Sequence, residues 1–295
     1  MDAGTTIAAD HGMRKLLFAL IMVSVASMGL AQLKDLKPGF NLFSSQQDIQ
    51  AGQEAAAQVK QEQPVVQNTQ LTAYLNNVMK RLSSTPHGES EFPYQVSAIA
   101  SKDINAFALP GGPIFVYTGL IQEASNESEL AGVLAHEMTH VKLRHGTNQA
   151  SEANLIQLPL ALAEKAIGSG SLWGQLAQVG IGLGFNSVVL KMSRSHESEA
   201  DYNGAQVMAE AGYDPVAMAQ FFEKLEAKGG GEGRLTEFLS DHPNPGNRVK
   251  AVEEEIQQMP QRSYSANTGQ FPAIKQLVST IRVPPPKAPK APVSQ

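Results

Sequence analysis

The stretch LAHEMTHVKLRHG, residues 134–146, places two histidines four apart with a glutamate directly after the first. On a helix, residues at that offset are neighbours, so His136 and His140 can each turn one ring nitrogen toward a single ion. Glu137 is rotated by about 100° from His136, which leaves its carboxylate beside the ion without forcing it to bind. This is the arrangement of helix-borne zinc sites in which the glutamate serves as a general base. The same three residues could also be surface groups on an amphipathic helix. A catalytic zinc takes three protein ligands and keeps one position open, so the reading depends on a third ligand elsewhere.

No cysteine occurs in the 295 residues, which excludes disulfides, thiolate sites, a cysteine nucleophile and a lipoprotein's lipid-attachment residue. A third ligand must then be His, Asp or Glu. An extension of the motif along the same chain would need glycine at position 143 and histidine at position 146, where Leu143 and Gly146 stand. Glu164 sits beside Lys165 and reads as a surface residue. Glu197 and Asp201, in the run ESEAD, lie one helical turn apart on one face. One of them can bind an ion while the other accepts the free ring N–H of a ligand histidine. Glu199 points to another face and reads as solvated. His145 and His196 lack the helical offset to join the ligands and read as surface or packing residues.

These residues need elements to hold them. Two helical patterns run between Ser45 and Ser83, the second with Leu71, Leu75, Val78 and Leu82 at helical spacing and Thr69 as its N-cap. Tyr94 to Ser101 reads as a strand. Two strand-like runs flank Pro110-Gly111-Gly112-Pro113, a hairpin signal whose prolines argue for a sheet edge. A three-stranded, mainly antiparallel sheet is expected. The motif helix starts with Asn126 as N-cap and Glu129 three places on, and should stop at Gly146. Further helices are expected up to Gly212, over DPVAMAQFFEKLEAK, and through Arg248 and Val252. The fold class is therefore α+β, mostly helical.

The N-terminal pattern from Met13, a basic pair followed by an apolar run and Gly29-Leu30-Ala31, is that of a secretory signal peptide over residues 1–31, with the start at Met13 and cleavage after Ala31. The expected organisation is a single metal-binding domain over 32–272 and a proline-rich, disordered tail over 273–295. Residues 155–190 are apolar and glycine-rich. They read as a pair of packed helices, or alternatively as a mobile cover that touches a membrane. A net charge of −5 with dispersed basic residues gives no footprint for nucleic acid.

Taken in order, DIQAGQEAA, NAFALPGGPIFVYTGLI, NESELAGVLAHEMTHVKLRH, SRSHESEADYNGAQVMAEAGYDP and DHPNPGNRV resemble the zinc metallopeptidases of peptidase family M48. That family includes the CAAX prenyl protease, HtpX and the periplasmic BepA and LoiP branch. The resemblance implies a zincin-like peptidase domain holding one Zn2+ on His136, His140 and Glu197, with Glu137 as base and Asp201 supporting a ligand histidine. It also implies that His242 and Arg248 stabilise the reaction intermediate. From spacing alone His242 reads as a turn histidine capping the next helix, and as an inhibitory fourth ligand it would close the resting enzyme. An edge strand at Asn105, Ala106, Phe107, Ala108 and Leu109, or at Ile114 to Tyr117, would hold an extended polypeptide substrate by main-chain pairing. The function expected is an exported, periplasmic endopeptidase acting on unfolded or misassembled envelope proteins. The rivals are a non-cleaving chaperone-like protein on the same fold and a structural zinc protein.

Overall fold

The computed structural model describes residues 34–157, 192–228, 236–244, 247–260, 263–265 and 267–285. The expected signal peptide, nearly all of the apolar segment 155–190 and the end of the proline-rich tail lie outside these residues. No helix among the described residues is long and apolar enough to cross a membrane.

Helix α1 (Ser45–Glu62) opens with a capping box, in which Ser44 Oγ accepts from the Gln47 N–H and Gln47 Oε1 accepts from the Ser44 N–H. Helix α2 (Thr69–Ser83) buries Leu71, Leu75, Val78 and Leu82 as its spacing predicts. Its N-cap is Asn68 instead of Thr69: the Asn68 side-chain Oδ1 accepts from the Leu71 N–H at 2.9 Å. Strands β1 (Gln95–Ile99), β2 (Ala106–Ala108) and β3 (Pro113–Tyr117) form one sheet in the order β1-β3-β2. The hairpin β2–β3 is antiparallel as expected, but β1 runs parallel to β3, so the sheet is mixed. A simple meander would have set β1 beside β2. Instead the short β1–β2 link crosses over the end of β3, where the Thr118 hydroxyl donates to the Ser101 carbonyl at 2.7 Å. The crossing is close: a Cβ on residue 119 would lie 2.3 Å from the Asp103 carbonyl oxygen, and glycine stands there.

A short helix α3 (Thr118–Glu123) leads to α4 (Glu127–Lys142), the motif helix. Asn126 caps it by accepting from the Glu129 N–H, while Glu129 Oε2 reaches back to the Ser125 N–H, both at 2.9 Å. The helix ends earlier than its sequence suggests. Leu143 is the C-cap and Arg144 takes the left-handed turn with φ 58°, so Gly146 already belongs to α5 (His145–Gln157). Helix α6 (Arg194–Ala211) starts on Ser193 and stops at Gly212 with φ 82°, the expected glycine stop. It is followed by α7 (Val216–Lys228), the short α8 (Thr236–Asp241) and α9 (Arg248–Ile256).

Helix α4 is the hub. It packs against α2, α6, α7 and β2, and from Glu129 to Val141 every residue is buried. One more helix, α10 (Phe271–Ser279), sends Phe271, Ile274 and Val278 into the same core. The tail expected from residue 273 therefore begins later. Three apolar residues at helical spacing outweigh the pull of the prolines that follow.

Where α9 meets α6, Glu255 is buried and accepts from Gln206 Nε2 at 2.9 Å. Burial pushes its carboxyl up to about 8, with the Asp201 charge adding to the effect and the Gln206 bond opposing it. Because the folded value exceeds the ordinary 4.5, this group's contribution to stability is intact below about pH 4.5 and is lost as pH rises toward 8. Glu255→Gln should remove that dependence and be more stable than the parent at pH 8. Urea midpoints of both proteins at pH 5 and pH 8 measure it; equal pH slopes would sink the assignment.

Candidate metal centre

Helices α4 and α6 cross so that the histidine pair of one faces the ESEAD carboxylates of the other. His136 Nε2 lies 3.0 Å from His140 Nε2 and 3.3 Å from Glu197 Oε2, and His140 Nε2 lies 3.5 Å from Glu197 Oε1. His242, just after α8, brings Nδ1 to 3.2 Å from Glu197 Oε1 and 3.4 Å from His136 Nε2. These four residues are buried, and one donor atom from each lies within 4.8 Å of all the others. Three buried imidazoles and one buried carboxylate converging on one point are a donor set that suits zinc.

The charges agree. Burial works against a proton on His136, yet Glu197 and Asp201 outweigh it and raise the imidazole to about 9. Burial likewise opposes ionisation of Glu197, but His242 and His136 hold its carboxyl well below the usual range. The pocket thus draws positive charge to the point where the donors meet, which a divalent cation supplies better than a shared proton. Two further buried atoms, Glu137 Oε1 and His242 Nε2, have no hydrogen-bond partner and face each other at 3.4 Å.

The model of peptidase family M48 matches residues 65–256. The chain belongs to that family. Among curated M48 relatives, the mitochondrial metalloendopeptidase OMA1 of Schizosaccharomyces pombe is 33% identical over 183 residues, covering 62% of this chain and 52% of that protein. The beta-barrel assembly-enhancing protease of Escherichia coli K12 is 32% identical over 224 residues, covering 72% and 44% respectively. The E. coli metalloprotease LoiP is 30% identical over 193 residues, covering 64% of this chain and 72% of LoiP. The chain spans about half the length of the first two. M48 metallopeptidases use zinc, and the buried His136, His140, Glu197 and His242 group is fit to bind one such ion.

The residues around the M48 donor set fall into place with two differences from the sequence reading. Asp201 Oδ1 accepts from His136 Nδ1 at 3.0 Å, the supporting contact expected of it. Arg248, expected at the reaction intermediate, contacts the carboxylates: its Nε and Nη2 grip Asp201 at 2.7 and 3.0 Å, and Nη2 reaches Glu197 Oε2 at 3.5 Å. Its guanidinium also lies 4.3 Å from the Phe222 ring centroid, and the same ring meets His136 at 5.0 Å. The guanidinium thus braces the two carboxylates. The second difference is His145, read as a surface or packing residue. It is buried with Nδ1 at 2.9 Å from His140 Nδ1 and Nε2 at 3.1 Å from Glu199 Oε2. On an unbroken helix, an offset of five would turn the two rings apart; the left-handed Arg144 between them brings them together. No local sequence signal marks that turn, because Arg144 is not a residue that favours it.

Strand β2 is the sheet edge beside α4. The Leu109 N–H donates to Pro113 O and Tyr117 N–H to Asn105 O, so Asn105, Phe107 and Leu109 direct their main-chain groups toward β3. By alternation, those of Ala106 and Ala108 point away from β3; Ala106 is buried there and Ala108 half-buried. The Ala108 main chain already bonds to the Glu137 carboxylate. Strand β3 is central, which removes Ile114 to Tyr117 as an edge. Asn105 is buried, and neither side-chain polar atom has a hydrogen-bond partner.

Proposed function

We propose that this chain is a zinc-dependent endopeptidase, exported to the cell envelope, that hydrolyses peptide bonds in unfolded or misassembled proteins. The observation that carries the reading is Glu137: a carboxylate 1% exposed, with Oε1 unpartnered, next to a buried donor set and against an edge strand. A protein that merely held chains would need no base there. A structural zinc protein would need no carboxylate set beside the donors and outside their number.

Bound zinc supplies Lewis-acid polarisation of the scissile carbonyl and acidifies the attacking water. The chain's own residues do the rest. Glu137 accepts the water's proton at Oε1 and returns it to the leaving amine. Burial raises its carboxyl above the ordinary value, with His242 and His136 opposing, which favours a group that both takes and gives a proton. Asp201 fixes the ring of His136, and Arg248 fixes Asp201. Strand β2, half-buried at Ala108, is the edge on which an extended substrate would add as a strand, so recognition depends on an unfolded conformation more than on sequence. The similarity to a beta-barrel assembly-enhancing protease and to the metalloprotease LoiP supports a role in envelope protein quality control.

The test is cleavage of casein by the chain from Gln32, together with one globular protein offered in native and denatured form. Equal cleavage of both forms would remove the preference for unfolded substrates. Casein left intact by zinc-loaded protein would move the reading to the chaperone-like alternative. Export is read from the N-terminal residue of protein recovered from the envelope, expected to be Gln32.

His242 stands among the donors and against Glu137 at once, which favours the inhibitory-ligand reading over that of an oxyanion donor. His242→Ala should then raise kcat/KM on casein by several-fold at unchanged zinc content. A fall would assign His242 to the intermediate instead.

A further inference from the structure

We propose that His145, held by Glu199, is the positioning residue for His140, so that the two ligand histidines are steered by unlike partners: a carboxylate for His136 and a neutral imidazole for His140. The inference rests on His136 and His140 being metal ligands, as read above.

An imidazole that gives Nε2 to an ion keeps its proton on Nδ1, and whatever accepts that proton sets the plane of the ring. For His136 the acceptor is Asp201 Oδ1 at 3.0 Å. The equivalent atom of His140 meets another ring nitrogen, His145 Nδ1, at 2.9 Å. Two nitrogens at that distance share one proton, and His140 must carry it when its Nε2 serves as donor. His145 therefore presents a bare Nδ1 and bears its own proton on Nε2, which lies 3.1 Å from Glu199 Oε2. One set of tautomers satisfies the whole chain from His140 through His145 to Glu199.

The surroundings hold that ring in place. His196 stacks on His145 with centroids 4.4 Å apart and planes 11° from parallel, and His196 Nε2 is anchored on Asn148 Oδ1 at 3.1 Å. Upstream, Arg144 is fixed in its left-handed turn by Asp48 of α1 at 2.7 Å and by the carbonyl of Phe43, just before α1, at 2.5 Å. Glu199 is 43% exposed at its side chain, so truncating it leaves the core undisturbed.

The experiment measures zinc affinity by chelator competition on the full chain and on His145→Ala, His145→Gln, Glu199→Ala and His140→Ala, with circular dichroism to establish folding. Loss of an outer hydrogen-bond partner typically weakens metal binding by roughly 10–100-fold, and that is the result expected for His145→Ala. His145→Gln should recover most of the affinity, since its amide oxygen can accept from His140. Glu199→Ala should weaken binding in the same direction and by less. Nitrogen-15 spectra of the zinc-loaded parent should show His145 protonated at Nε2 and bare at Nδ1. Parent-like affinity in folded His145→Ala or Glu199→Ala, or a proton on His145 Nδ1, overturns the proposal. Should His145→Ala fail to fold, Glu199→Ala and the tautomer decide. Loss of zinc from His140→Ala alongside parent-like His145→Ala would sink the positioning role and leave the ligand reading standing. Zinc retained by His140→Ala would sink both.

Discussion

Glu137→Gln is expected to lower kcat for casein cleavage by about 10²–10⁴-fold, the usual contribution of a general base, while zinc content stays at that of the parent. The substitution keeps the shape of the side chain and its contact with the Ala108 main chain. It removes the one property the reaction needs, the capacity to take up a proton at Oε1. Because Glu137 lies outside the group of four donors, metal binding should survive. The two readouts separate the roles: lost zinc with lost activity would make Glu137 a ligand, and retained activity would remove it as the base.

Arg248→Met is expected to destabilise the metal-free protein by about 3–5 kcal/mol, the cost of removing one partner from a buried ion pair. The guanidinium is 4% exposed and bridges Asp201 and Glu197, so methionine of similar length would leave two buried carboxylates facing each other. Arg248→Lys should rescue little, since a point charge cannot reproduce the paired grip on Asp201. It would also lose the planar contact with Phe222. Zinc-loaded protein should suffer less than metal-free protein, because the ion supplies positive charge beside Glu197. Urea unfolding of both forms measures this; a change below 1 kcal/mol in the metal-free form would show that Arg248 is not a brace.

Much of this molecule is written in short-range patterns. The spacing of His136 and His140, of Glu197 and Asp201, and of the apolar positions in α2 follows from the 3.6-residue turn. Asn126, Ser193 and Gly212 act through atoms a few residues away. Such features are local physics, and the sequence by itself determined them: two helices, one bearing a histidine pair with a base and the other a carboxylate pair.

What the tertiary structure decided are the relations across long separations. Nothing in the runs around β1 and β3 distinguishes parallel from antiparallel pairing; the crossing of the β1–β2 link over Gly119 does. Only the resemblance places Arg248 at the reaction intermediate. Its actual contacts, Asp201 and Phe222, depend on how α7 and α9 pack on α6. His145 entered the centre because Asp48, 96 residues before Arg144, holds a non-glycine residue in a left-handed turn. Local propensity disfavours that conformation, and buried ion pairing overrides it. Helix geometry set the ligand pairs, and burial of distant charged groups against one another set the residues that aim them.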